Sequence, residues 1–498
     1  MSSRGDDSIT DGGLVRPMIR LAWPIVTIQL LQVAYNVADT FWLGRFSADA
    51  VGAMSIGFPI IFLLISVAGG FTAAGAILVA QYTGAESESS AGTIAGQTLG
   101  FVTLLALALS ALGYLFTDDL LALLPSQAQT TADVIPLAAA YMEVFFLGLP
   151  FLFGFFVFSA LMRGYGDTQT PMRVMFLSVA LNVVLDPILI FGWDAALIPG
   201  LGIRGAALAT IISRGAASVL GVYILFFTHK GPTVAISDLR LKLEHVKDIT
   251  RIGVPSALEQ SASAAAMLTL TAMVVTFAPA VVAAYGLGNR LVSVIFLPAM
   301  GLGRATNTMV GQNLGADQAD RAERAVWIAA KASAGVMIAA AAIAALFPEP
   351  IVGVFMATGT DRAAETVRLG SEYLRIRSVE FAFIGVLQVL LGAFRGAGDT
   401  KTAMTFSIVA LWLGRVPTVA YLALGVITLG PLTIPLIDLS LGPLVIHALD
   451  MGPEGIWIGM ALGNILGAIT AAAYFTRGTW KHTVIDDTPT PTTDGGDE

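Results

Sequence analysis

Cysteine is absent from the 498 residues, which excludes disulfides, thiolate metal centres and cysteine nucleophiles. Charge is scarce as well. Asp, Glu, Lys and Arg supply 12% of the chain, about half the share of an ordinary soluble domain, and too little to coat a water-soluble surface of this size. Histidine occurs four times, which leaves little for a resident metal site. No G-x-x-x-x-G-K-[ST] loop, nucleophile elbow or metal-ligand spacing occurs, so neither ATP hydrolysis nor any other enzyme activity is expected. No cofactor and no nucleic-acid partner are implied either.

What is abundant is apolar: 56% hydrophobic residues and a mean hydropathy of +0.78. That composition predicts an all-α polytopic membrane protein, with room for about twelve spans of about 20 apolar residues each. Apolar runs fall near 17–42, 50–80, 93–116, 134–160, 171–192 and 203–228, then near 250–276, 281–310, 323–347, 370–394, 402–427 and 455–476. Arg16 and Arg20 precede a run longer than a signal h-region, with no small-residue cleavage site after it, so an uncleaved first helix is expected. Between the two sets lies a polar stretch containing Lys230, Arg240, Lys242, Lys247 and Arg251. Basic loops stay on the cytoplasmic side, which predicts a cell-membrane protein with this linker and both termini in the cytoplasm.

The two sets repeat. Val79–Ala85 (VAQYTGA) matches Val310–Ala316 (VGQNLGA) at a shift of 231, and Arg163–Thr168 (RGYGDT) matches Arg395–Thr400 (RGAGDT) at a shift of 232. Six helices separate the copies, so the halves are parallel repeats, the pattern of a two-lobed transporter with a central cleft. The expected organisation is a disordered tail over 1–16, an N-lobe over 17–228, a linker over 229–249, a C-lobe over 250–478 and an acidic disordered tail over 479–498. The segment 427–450 has no counterpart in the first half, and its prolines 431, 435 and 443 predict an extracytoplasmic insertion rather than a span.

Ionisable residues inside spans are costly and mark functional candidates. Gln32, Tyr35 and Asp39 share one face of the first run, with Asn36 beside them, and Asn182 and Asp186 share a face of the fifth. Pro187 leaves the carbonyl of Val183 without its helical partner. At the repeat-equivalent positions stand Leu270 and Thr418, so the acid pair belongs to the first half alone. The second half has Glu259 and Glu380, each read as nearer one end of its run, where an ion-paired or snorkelling role competes with a cleft role. Arg290, Arg304, Lys331 and Arg415 are candidate partners. Arg163/Asp167 and Arg395/Asp399 read as loop clamps and helix caps. Pro24 interrupts the hydrogen-bond ladder of the first span and supplies a candidate bend.

These residues resemble the multidrug and toxic compound extrusion (MATE) transporters. The resemblance runs from about Met18 to Tyr474, and rests on Pro24 followed by Asp39-Thr-Phe-Trp-Leu-Gly44, on the two VxQ-type elements and on both RGxGDT loops. Asn182 with Asp186-Pro187 is similar to the DinF-like branch and its archaeal members. The resemblance implies twelve helices in two pseudo-symmetric six-helix lobes, and export of drugs or toxic metabolites by alternating access against H⁺ or Na⁺. It places ion coupling at Tyr35, Asp39, Asn182, Asp186 and Thr210, with Na⁺ an option at Asp39/Asp186. Drug contacts fall to Gln32, Asn36, Ser159, Met175 and Asn182, and helix bending to Pro24. Glu259 resembles a seventh-helix glutamate of NorM-type members, and Glu380 joins it as a possible second-lobe site. A monomer in the bilayer is expected.

The coupling scheme is electrostatic. Two carboxylates shielded from water and close together repel, so loading H⁺ or Na⁺ when the cleft faces outward neutralises the lobe and favours drug release. The rival within transport is a lipid-linked oligosaccharide flippase, which needs several cations in its cleft; Arg214 and Arg304 keep it open. The rival from another class is a channel or receptor, separated by accumulation of substrate against its gradient.

Overall fold

The computed structural model describes residues 8–122, 134–193, 199–356, 360–424, 426–429, 432–434, 439–441, 444–447 and 449–485. The first half contains α1 (Val15–Phe46), α2 (Ala48–Gly84), α3 (Glu88–Leu115), a short α4 (Thr117–Ala122), α5 (Ile135–Leu147), α6 (Leu149–Tyr165), α7 (Gln169–Phe191) and α8 (Ile203–Phe227). The second contains α9 (Leu243–Val274), α10 (Pro279–Ile295), α11 (Leu297–Gly315), α12 (Ala319–Leu346), a short α13 (Pro348–Gly353), α14 (Asp361–Ser378), α15 (Phe381–Gly396) and α16 (Thr400–Ile408). A π-helical segment, Val409–Arg415, joins α16 to α17 (Val416–Ala423), and α18 (Pro453–Phe475) closes the half.

Among the described residues, eight helices are long and apolar enough to cross a membrane, and eleven when each bent pair counts once. Helix α9 has 32 residues, ample for a crossing, but Glu259, Gln260 and its serines lower its hydropathy. With α9 each half supplies six spans. The bends lie between α5 and α6 (53°), α10 and α11 (44°), and α14 and α15 (54°). Pro150 and Pro298 open two of the second arms, where a missing N–H is tolerated at a helix start.

The described part of the insertion is not helical. Strand β1 (Val426–Leu429) pairs antiparallel with β4 (Leu444–His447), and β2 (Leu432–Ile434) with β3 (Leu439–Leu441). Both ladders keep one register, Val426 facing His447 and Ile434 facing Leu439, so they form a single interrupted hairpin on an otherwise helical protein. The rest of the 427–450 segment lies outside the described residues, apart from Leu449 and Asp450.

The halves meet at the end that carries the linker, and they do so reciprocally. Helix α2 packs on α9 and α11, and α1 packs on α11. Gln81 donates to the Gly396 carbonyl (3.0 Å), and its repeat-equivalent Gln312 donates to the Gly164 carbonyl (2.9 Å). A Cβ on Gly84 would lie 1.9 Å from the Gln312 carbonyl oxygen, and one on Gly315 would lie 1.9 Å from that of Gln81. Only glycine permits so close a crossing. Met18 and Leu21 of α1 are buried in the C-lobe core, whereas Ile249 and Ile252 of α9 are buried in the N-lobe core. Contact between the halves extends as far as Gln29–Arg304 and Gly69–Gln260. Beyond that depth no interlobe hydrogen bond joins the described residues.

Two sequence-based boundaries change. Helix α1 starts at Val15 and α9 at Leu243, so the linker is shorter than 229–249. Part of it is docked: Gln97 of α3 donates to the carbonyls of Asp238 and Arg240 (both 2.7 Å) and accepts from the Lys242 N–H (2.8 Å). The tails are ordered where they are described. Residues 8–14 lie on the seam, with Arg321 donating to the carbonyls of Ile9, Asp11 and Gly12, and the Ile9 side chain against Gly166. At the other end Trp480 is buried on Phe475, and Val484 sits against Gly398 while its N–H donates to Gln81 (3.0 Å). Each strap thus touches both lobes, because apolar Ile9, Trp480 and Val484 find cover there. Residues 1–7 and 486–498 lie outside the described set.

Candidate functional site

Helix α1 runs unbroken through Pro24. The carbonyl of Arg20, which a proline four residues on cannot use, accepts instead from the Thr168 hydroxyl (3.4 Å). The face of α1 beyond the seam carries Gln32, Tyr35, Asn36 and Asp39 toward α7 and α8. Tyr35 and Asp39 are buried, Gln32 is half-buried and Asn36 is exposed.

The Tyr35 hydroxyl donates to Thr210 of α8 (2.6 Å). Asp39 faces Asp186 and Asn182 of α7, and Asn182 donates to Asp186 (3.1 Å). The five residues from α1, α7 and α8 therefore form one buried cluster. Its bonding is incomplete in one sense only. Asp39 Oδ1, Asn182 Oδ1 and Asp186 Oδ2 are buried acceptors without a partner. Such atoms forfeit hydration without replacement, about 1–3 kcal/mol each and more when charged, and they are oxygens to which a proton or a small oxygen-seeking cation could bind.

Arg214 of α8 is the neighbour that sequence reasoning undervalued. Its side chain is buried, donates to Gln32 (2.5 Å) and to the Met175 sulfur (2.8 Å), and lies over the rings of Tyr35 and Phe155 at 4.9 and 5.4 Å. It forms no ion pair with either aspartate among the described residues. Gln32 in turn donates to Asn36 (3.1 Å). Of the residues assigned to drug contact, Gln32 and Asn36 reach open space, whereas Ser159, Met175 and Asn182 are buried in this conformation.

The glutamates of the second half are placed differently. Glu259 accepts from Arg395 (2.5 and 3.3 Å) and from Ser407. Glu380 is fully buried and paired with Arg377, and its other oxygen accepts from Asn464 (2.7 Å). Neither partner was among the four basic residues considered from sequence, and that assignment is corrected. Helix α14 begins at Asp361, so Glu380 sits at the bend in the middle of its span rather than near an end. Arg377 also donates to the Tyr373 hydroxyl, which donates to Asn289 (both 2.7 Å). The signal was available in Arg377-Ser-Val-Glu380, a spacing that places both charges on one face.

The RGxGDT loops are structural. Asp167 accepts from the N–H groups of Gln169 (2.9 Å) and Thr170 (3.0 Å), and Asp399 from that of Thr402 (3.1 Å), capping α7 and α16. Among the described residues no group of three or more His, Cys, Asp or Glu converges on a metal-sized site.

Two six-span halves, joined at one face and each holding a buried polar centre, define a multi-pass membrane transporter fold. The MatE family model matches residues 24–188 and 255–421, and the chain belongs to that family. The probable multidrug resistance protein YpnP of Bacillus subtilis is 28% identical over 474 residues, 95% of this chain and 97% of its own length. The probable multidrug resistance protein YoeA of the same organism is 30% identical over 410 residues, 81% of this chain and 85% of its own. A solved transporter of the MOP superfamily from Pyrococcus furiosus superposes with a TM-score of 0.83 at 23% identity, covering 97% of this chain and 99% of that one. This agrees with the expected two-lobed helical architecture.

Proposed function

We propose that the protein is a secondary active multidrug exporter, which moves cationic or amphipathic organic compounds out of the cell in exchange for H⁺ or Na⁺ by alternating access. One observation carries the coupling part: the three unpartnered buried acceptors of Asp39, Asn182 and Asp186. Two carboxylates in a dry site repel, and a loaded H⁺ or Na⁺ relieves that repulsion while supplying what the bare oxygens lack. The Tyr35–Thr210 pair packs beside these acids, and Arg214, lying over the Tyr35 ring, donates to Gln32, which donates to exposed Asn36. Arrival of the ion then changes the surroundings of a bound drug through the charge and packing around Tyr35 and Arg214.

The seam at the linker end supports an outward-facing state for this conformation. The basic linker supports a cytoplasmic position for that seam, with both termini on the same side of the cell membrane. The multidrug relatives support the substrate class.

The test is dye efflux from proteoliposomes with a pH gradient and a sodium gradient imposed separately. Export against the dye gradient under one of the two supports the reading and names the ion. Equilibration without accumulation under either identifies a channel-like protein instead.

A further inference from the structure

The centre of the C-lobe has the opposite deficit. Arg377 and Glu380 neutralise one another, and Asn464, Tyr373 and Asn289 complete their hydrogen bonds. Arg415 is left over. It is the last residue of the π-helical segment Val409–Arg415, and its electrostatic neighbours are Arg377, Glu380, Tyr373 and Tyr285. Its guanidinium makes no hydrogen bond or ion pair among the described residues. Its Nε is buried without a partner, and the residue as a whole is half-buried, so the end of the fork stays accessible.

A second unpartnered donor lies in the same centre. Trp457 of α18 is fully buried, with its ring against Tyr373 (4.8 Å) and Tyr285 (6.3 Å), and its Nε1 has no acceptor. The backbone is shaped for this arrangement. A Cβ on Gly463 of α18 would lie 2.5 Å from the Arg415 nitrogen, so α18 rests directly on the π turn. The repeat-equivalent stretch of α7, 177–183, is regular α-helix. π turns inside helices are infrequent and gather at functional sites. A guanidinium at membrane depth is expensive unless an anion meets it, and its planar fork suits carboxylate and phosphate oxygens.

We infer that Arg415 forms an anion subsite, which takes a carboxylate or phosphate group of a transported compound inside the C-lobe. The subsite rests on the exporter reading and deepens it. Compounds bearing a cationic or apolar body together with an anionic group gain affinity over those without one.

Rhodamine B and its ethyl ester test this, since the two dyes share a cationic chromophore and only the first has a free carboxylate at neutral pH. Binding of each to the purified full-length protein in nanodiscs is read by fluorescence anisotropy. The wild type is expected to bind the acid more tightly than the ester. Arg415→Gln is expected to weaken the acid about tenfold or more and leave the ester within about twofold, with Arg415→Lys between. Retained ester binding shows that the variant is folded. Equal loss for both dyes, or an acid affinity that does not respond to Arg415→Gln, overturns the subsite, while binding of the ester by the wild type leaves the exporter reading standing. Failure of the wild type to bind either dye overturns both.

Discussion

The two lobes share a chain path and differ in which atoms they leave unsatisfied. The N-lobe centre is short of donors, with three acceptor oxygens unmatched on Asp39, Asn182 and Asp186. The C-lobe centre is short of acceptors, with Arg415 Nε and Trp457 Nε1 unmatched and Glu380 already consumed by Arg377. Duplication kept the scaffold, including the reciprocal glutamines and glycines of the seam. Divergence went to interior positions where a single substitution adds or removes a charge. On α8 and α18 the exchange is visible side by side, with Thr210 and Arg214 standing where the other half has Met460 and Asn464. Symmetry holds the halves together, and asymmetry gives each half its own set of unmatched atoms.

The largest effect expected from this contrast is at the acid pair. Asp39→Asn or Asp186→Asn should reduce ion-driven dye efflux in proteoliposomes by about a hundredfold or more while the thermal midpoint holds or rises. Neutralising a buried charge that lacks an ion-pair partner removes a cost rather than a support. Wild-type efflux in both variants would break the assignment of coupling to the N-lobe.

Glu380→Gln should do the reverse. It strands Arg377 in a buried site, a loss of about 3–5 kcal/mol, read as a lower thermal midpoint in detergent. An unchanged midpoint would mean that the C-lobe pair does not brace its bend.

At the seam the halves should respond alike. Gly84→Val and Gly315→Val each drive a side chain into a backbone carbonyl across the crossing, a cost of about 1–3 kcal/mol against the closed state. Because the chain has no cysteine, introduced cysteine pairs on α2 and α11 can be spin-labelled cleanly. Their distance distribution should broaden or lengthen equally in both variants, and a response confined to one would show that the reciprocity is geometric only.

The smallest effect belongs to the C-terminal strap. Glu323 beside Lys481 (2.6 Å) holds the ammonium above its usual pKa. The support this gives is complete below the ordinary lysine value and fades only as pH climbs through the raised one. Lys481→Met should therefore cost less than about 1 kcal/mol, constant between roughly pH 6 and 9. Salt should weaken the wild-type advantage. The N-terminal strap, held through the carbonyls of Ile9, Asp11 and Gly12, should be less sensitive to salt.

Much of the architecture was legible because lipid imposes it. Spans need long apolar runs, and the repeated VxQ and RGxGDT elements fix the offset between halves. The grouping of Tyr35, Asp39, Asn182 and Asp186 could be proposed from helical spacing together with the family resemblance. Arg214 and Arg377 were harder to place. An arginine in an apolar run announces a cost, but its partner depends on rotation between helices, and that is set by glycine contacts scattered over the chain. The hinge position of Glu380 was hidden because α14 is polar at its outer end, which shortened the apparent span. The straps were misread for a related reason. Short polar segments look solvated until a seam exists for Ile9, Trp480 and Val484 to cover.

Those straps affect how the protein can be handled. With Ile9 against Gly166 and Val484 against Gly398, both straps lie on the junction between the halves, which alternating access would have to part. A fluorescent protein or affinity handle joined directly to either strap would hang its bulk on that junction. Such a fusion tugs on the movement it is meant to report, so tag-free material is the proper reference for any turnover rate.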